Sequence, residues 1–434
     1  MISKEHLDEL KPFQARSIIE ELRKGSVPTE YVPFFTVGRE NWLTFIDDDL
    51  DHYIAEGGAK VRFISGDYGD GKTHFMSVIR NLSLQKNFAV SFVVLTREVP
   101  IHKFETVYQT IVRQLCGTFE GSGIRGLLDT WIDGLAATLN NEDNPSSQVS
   151  IEKLSETLRT LPGMNINFTN GLIALVNNRL VPLREGEREE ERAADREILY
   201  HWFEGGKISK RELKPFQIFE VINKTNSKHL LNALIVFLRY LGYKGLILLL
   251  DELETVIAQA ASIRNAAYEN VRLLIDNTEH TAYLHIFFSI IPDVLISEKG
   301  FKSYDALWSR VRSIGEKKKL NYRGVLVDLH RTPLKTEELI ELGVCLRRIH
   351  EISYRWEAKD SVRDELIEDI CKKQKQMGLL SEVRLFVKQI IRILDMAEQG
   401  EAPMEDLDLT EQITTSQREM EQEKVEQLQP RWDS

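Results

Sequence analysis

The sequence predicts an α/β fold with a five-stranded parallel sheet, on three observations. Apolar runs of strand length alternate with amphipathic runs of helical period along much of the chain. One glycine-rich segment, VRFISGDYGDGKTHF (61–75), joins a strand-like run directly to a helix-like run. A second apolar run, GLILLLDE (245–252), is hydrophobic at every position and then ends in two adjacent acids, as a strand buried on both faces does when it emerges at a sheet edge.

Taken in order, FQARSIIEELRK (13–24) sets Phe13, Ile18, Ile19 and Leu22 on one helical face, and ENWLTFIDDDLDHYI (40–54) repeats that pattern with Leu43, Ile46, Leu50 and Ile54. The five strands are 61–66, 88–95, 245–252, 284–291 and 324–330, with helices over 73–84 and 104–118 between the first three. Residues 118–240 contain helical patterns and no strand, so they read as a large helical insertion, either packing on the core or recognising a partner. Further helices run to about Glu398. The expected organisation is an N-terminal helical arm (1–58), a core (59–333), a C-terminal helical lid (334–398) and an acidic, mobile tail (399–434).

The spacing Gly66-x-x-x-x-Gly71-Lys72-Thr73 is that of a phosphate-binding loop. Glycines at 66, 69 and 71 permit the backbone to wrap phosphate oxygens, and the amides at the helix start form an anion cradle. Residues Gly66, Asp67, Tyr68, Gly69, Asp70, Gly71, Lys72, Thr73 and His74 are therefore the expected nucleotide contacts, with Lys72 on the β- and γ-phosphates and the Thr73 hydroxyl on Mg²⁺. The expected cofactors are ATP and Mg²⁺.

The independent check is Asp251-Glu252 at the end of LILLLDE. Asp251 would hold magnesium through water, and Glu252 would activate the attacking water. Glu254 reads as a solvated neighbour. The following strand, LHIFFSIIPD, carries Ser289 in an apolar run; a buried serine bonds to backbone or, here, senses the γ-phosphate. An adjacent glutamate favours hydrolysis over transfer to a metabolite.

Composition fits a globular chain of 434 residues, 42% hydrophobic and 28% charged. No apolar run spans a bilayer, the N-terminus lacks an apolar leader pattern, and the three cysteines are far apart, which together read as a cytoplasmic protein without membrane, disulfide or zinc. Of the net charge of −11, the tail from Glu401 carries −7, which leaves room for a basic face elsewhere.

These segments together resemble the AAA+ ATPases of the origin-recognition/Cdc6-like branch and, more narrowly, the BrxD ATP-binding proteins of BREX phage-defence systems. The resemblance rests on FFTVGREN (34–41), VRFISGDYGDGKTHF (61–75), LLDELE (249–254), AYENVRLLIDN (267–277), YDALWSRVR (304–312) and SEVRLFVKQIIRILD (381–395), and covers about residues 10 to 396. It implies that Val37, Gly38 and Arg39 pack near adenine, although Arg39 could equally cap the preceding turn. It implies an arginine finger at Arg310 or Arg312, within a run that also reads as a solvated basic face. It implies a γ-phosphate sensor at Arg384, whose other reading is a surface salt bridge.

The function expected on that basis is an ATP-hydrolysing switch or motor subunit of a multi-gene antiphage defence system, a nucleotide-dependent homo-oligomer working with proteins of the same operon, such as a helicase or nuclease. Two rivals are a housekeeping DNA-loading or remodelling ATPase and a nucleotide-gated scaffold with little turnover. Initiator-type proteins follow the lid with a winged-helix domain, and the tail here is too short for one. DNA remains a candidate partner through Lys317-Lys318-Lys319 with Arg323, or through Lys372, Lys373 and Lys375.

Overall fold

The computed structural model describes residues 7, 9–141, 147–183, 185–276, 281–312, 320–379, 382–400, 410–411, 413–418 and 422. Along the chain, helices α1 (Pro12–Arg23) and α2 (Glu40–Asp49) precede strand β1 (Ala59–Ser65), helix α3 (Lys72–Gln85), strand β2 (Ala89–Val94), helix α4 (Phe104–Arg113) and strand β3 (Leu115–Cys116). Seven residues after β3, six helices begin: α5 (Gly123–Asn141), α6 (Ser147–Thr160), α7 (Ile166–Leu180), α8 (Glu189–Phe203), α9 (Lys210–Leu213) and α10 (Ser227–Tyr240). Then come β4 (Leu246–Asp251), α11 (Ala261–Asp276), β5 (Leu284–Ile290), α12 (Pro292–Ile296), α13 (Asp305–Val311) and β6 (Leu326–Asp328). Helices α14 (Thr336–Tyr354), α15 (Asp364–Gln376) and α16 (Val383–Glu398) complete the ordered elements.

The sheet has six strands in the order β3-β2-β4-β5-β1-β6 rather than the five expected. The additional one is β3. The helix expected over 104–118 stops at Arg113, where Gln114 leaves helical geometry, and Leu115 turns fully inward at the sheet edge. Cys116 and Leu115 then pair antiparallel with Val90 and Ser91. Burial of one leucine and two ladder positions outweighs the last helical turn. The central pairs are parallel: β2 runs beside β4 from Ala89↔Leu246 to Val94↔Asp251, and β4 beside β5 from Leu246↔Leu284. Every residue of β4 and β5 is buried, including Asp251, His285 and Ser289 among their otherwise apolar sequences.

The chain divides into two compact units. One comprises Phe45–Phe63 and Leu82–Leu326. Its core runs from the sheet, where Phe63 stacks on Phe288 at 5.4 Å, into the helices of 123–240, where Phe168, Phe203 and Phe237 pack ring against ring. Arg179 on α7 ties this helix to Asp129 (2.9 Å) and Asp133 (2.7 Å) on α5. The other unit comprises Met1–Thr44, Ile64–Asn81 and Val327–Ser434. Here α1, α14, α15 and α16 bury Ile18, Ile19, Leu346, Ile349, Phe386 and Ile390 together. The polar seam of that bundle is closed by Asp395, which accepts from Arg23 (2.7 and 3.0 Å) and from His350 (3.1 Å), while Trp356 donates to the other ring nitrogen of His350 at 2.9 Å.

Candidate nucleotide site

Strand β1 delivers the chain to the loop Gly66–Gly71, and Lys72 opens α3. Gly69 (φ 97°) and Gly71 (φ 85°) both occupy the left-handed region, so the loop's shape depends on glycine at these two places. Within the loop the Asp67 amide donates to the Asp70 carboxylate at 2.7 Å. The ammonium of Lys72, buried, donates to the carbonyls of Gly66 (2.9 Å) and Asp67 (3.2 Å) and lies 5.1 Å from the Tyr68 ring centre. Thr73 follows at the second position of α3, and the Gly71 carbonyl accepts the Phe75 amide as the helix begins.

Three further segments of the same unit hold this loop. From 34–41, the Arg39 guanidinium donates to the Asp70 carbonyl at 2.5 Å, and Thr36 bonds His74 at 3.0 Å. Burial lowers Arg39 to about 10 against the opposing pull of Asp70 and Glu338, and burial, helped by Arg39, lowers His74 to about 4. Gly38 (φ 68°) allows a close approach: a side chain there would meet the Glu338 carboxylate at 2.7 Å. Val37 packs partly buried on the helical core. From the end of β6, His330 sets Nδ1 at 3.2 Å from Asp67 and 3.5 Å from Asp70, the latter carboxylate raised chiefly by its burial. From the start of α16, the Arg384 amide donates to the Gly69 carbonyl at 3.3 Å, while its guanidinium packs over Gly25. The backbone of Arg384 thus meets the loop, and its guanidinium lies beside Gly25, just past the end of α1.

The acidic pair lies in the other unit. Asp251 ends β4 buried, and Ser289, fully buried on β5, donates its hydroxyl to the Asp251 carboxylate. The Glu252 amide donates to both Asp251 (3.0 Å) and Ser289 (2.9 Å). Glu252 adopts φ 60°, an unfavourable angle for a residue with a side chain, and the residue is exposed. Glu254, expected to be solvated, is instead buried, because the short helix Leu253–Val256 turns it back with Leu253 and Val256. Arg310 is engaged by Asp276 on α11, its Nη2 at 3.0 Å, and by the Ala306 carbonyl at 2.5 Å; Arg312 ends α13 exposed.

Of the basic runs, Lys317-Lys318-Lys319 lies outside the described residues. Arg323 pairs with Asp48 at 2.9 Å, and Lys372 with Asp369 at 3.1 Å, so both side chains are partly neutralised. Among the described residues, no helix is long and apolar enough to cross a membrane.

Comparison with protein-family models matches residues 10–415 to the BREX system ATP-binding protein BrxC/D. The chain belongs to the BrxC/D family. No curated protein and no solved structure matches it. As a BrxC/D protein the chain is an ATP-binding component of a BREX defence system, and its glycine loop is the segment whose chemistry suits that ligand. Sequence reasoning passed over His330 and Thr36, which carry no motif of their own. It named Arg39 without foreseeing that its guanidinium would grip the loop. Among the described residues, Asp67, Asp70 and His330 set ligand atoms within 4.8 Å of one another.

Proposed function

We propose that this BrxC/D protein is an ATP-hydrolysing AAA+ switch, kin to the initiator-type ATPases, that works with other proteins of its operon. The observation that carries the reading is the Asp251–Glu252–Ser289 arrangement: the Glu252 amide donates two hydrogen bonds that hold this exposed residue at φ 60°. Strain of this kind persists where surrounding contacts over-determine it, and it clusters at reactive positions.

In this scheme the loop amides and Lys72 take the phosphates in place of the carbonyls that Lys72 now contacts. The Thr73 hydroxyl and the buried Asp251 carboxylate are hard oxygen donors of the kind Mg²⁺ takes, and the bound ion would neutralise phosphate charge. The Glu252 carboxylate accepts the proton of the attacking water. Arg384 reports nucleotide through the lid, and Arg310 or Arg312 serves a neighbouring subunit once an oligomer forms; Arg310 must first leave Asp276. Differential contacts with ATP and ADP then shift the protein between two states. Arg323 and Lys372 each sit in an ion pair with a carboxylate, which reduces the positive charge these two side chains offer to DNA.

The test is steady-state ATP hydrolysis by the full chain and by Glu252→Gln, with and without duplex and single-stranded DNA. We expect turnover in the wild type, a loss of at least 100-fold in the variant, and ATP binding retained. Equal turnover in both proteins would overturn the assignment of the base. Tight ATP binding with no turnover in either would favour a nucleotide-gated scaffold.

A further inference from the structure

The helices of residues 123–240 carry a cleft of about 980 Å³ between α6, α7, α8 and the turn Pro215–Gln217. Among the described residues its lining is partly apolar, from Ile173, Leu180, Val181 and Phe216, and carries Glu152, Glu185, Glu187, Glu191 and Asp195 against Arg159 and Arg192. Arg192 is spent inside the fold, donating to Glu187 at 2.7 Å and to the Val181 carbonyl at 2.5 Å. Glu191 is paired with Arg188. Glu152, Glu185 and Asp195 remain on this lining, and Asp195 is raised first by its burial and then by Glu187 and Glu191.

Beside this cleft, large apolar side chains stand in solvent although the backbone beneath them is bolted down. Asn167, buried on α7, accepts the Phe219 amide at 2.8 Å; Asn170, one turn on, donates to the Gln217 carbonyl at 2.8 Å; and Trp202 donates to the Glu220 carbonyl at 3.0 Å. Phe219 is nevertheless 60% exposed, and Ile166 and Leu183 are 69% and 48% exposed. A loop that merely frayed would not consume three side-chain hydrogen bonds to fix an exposed phenylalanine.

We infer that this face of the helical insertion docks a basic, partly apolar peptide segment of a partner protein, with lysine or arginine entering the acidic cleft and an apolar side chain covering Phe219. Charge complementarity chooses that occupant, since a nucleic-acid backbone would meet the same carboxylates with like charge. The inference stands on the insertion alone and does not depend on ATP hydrolysis.

A random dodecamer peptide library, selected on the full-length protein and then ranked by anisotropy of the best labelled peptide, tests it. Selected peptides should combine Lys or Arg with aliphatic or aromatic residues. Their affinity should fall at least 10-fold in the double variant Glu152→Lys/Asp195→Lys and, separately, in Phe219→Ser, while ATP binding is unchanged. Peptides without basic residues, peptides that bind both variants as tightly, or full displacement by spermine with Phe219→Ser silent would each overturn it. So would sedimentation showing that the double variant abolishes self-association, because the face would then serve a second copy of this chain.

Discussion

On the proposal that this chain hydrolyses ATP, replacing Ser289 by alanine separates two ways in which a serine on this strand can serve that reaction. The hydroxyl donates to the Asp251 carboxylate and accepts the Glu252 amide at 2.9 Å, so under the proposed mechanism it acts on these two groups through their positions. A hydrogen bond to a charged group contributes about 1.5–3 kcal/mol, and its loss leaves the Glu252 amide still satisfied by Asp251 at 3.0 Å. With one of its two tethers gone, Glu252 relaxes from φ 60°, and its carboxylate leaves the geometry that turnover needs. At about 1.36 kcal/mol per decade, that range corresponds to a fall in kcat of roughly 10- to 100-fold. The dissociation constant for ATP, measured by equilibrium binding of a fluorescent analogue, should change by less than about threefold. Ser289→Thr keeps the hydroxyl on a strand that favours β-branched residues and should recover most of the rate. If the dissociation constant rises in step with the fall in kcat, Ser289 touches bound phosphate and the positioning argument is refuted. An unchanged kcat refutes it equally.

Three further outcomes are expected. Arg39→Lys cannot reproduce the guanidinium bond to the Asp70 carbonyl and should weaken ATP binding by roughly 5- to 30-fold, about 1–2 kcal/mol, with the thermal midpoint little changed; calorimetric titration measures it. Asp395→Ala strips the shared acceptor from Arg23 and His350 and should destabilise the helical unit by about 2–4 kcal/mol in urea unfolding, whereas Asp395→Asn keeps an acceptor oxygen and should cost less. His285 is fully buried on β5, and burial first, then Arg62 and Lys60, hold its imidazole well below the ordinary range. Its folded value is depressed, so the stability it confers is complete above about pH 6.5 and is lost as pH falls, by up to about 1.4 kcal/mol per pH unit. The urea midpoint of His285→Leu should therefore fall less between pH 6.5 and 5 than that of the wild type, and parallel slopes would contradict this.

How far the sequence carried the fold depends on the range of the signal. The buried strands of the centre were legible because each is an apolar run long enough to exclude a surface location, and their parallel pairing followed from the helices between them. Strand β3 was not legible, since two residues have no period and Leu115 continues the apolar face of α4. That the glycine loop joins a strand to a helix, and that Asp251 ends a buried strand, was legible because loop glycines and an apolar run fix local conformation. The parts that hold them were not. Arg23 meets Asp395 across 372 positions, and Trp356 reaches His350 only because the chain turns back after α14. Likewise His330 has no partner in sequence and acquires Asp67 and Asp70 only when β6 ends beside the loop. Glu254 shows the converse error: a glutamate beside the pair reads as solvated on its type, yet three further residues of local helix bury it. Motif residues are therefore selected by what they do to a ligand, which leaves a mark in sequence. Their supports are selected by where the fold delivers them, which leaves none until the coordinates supply the distance.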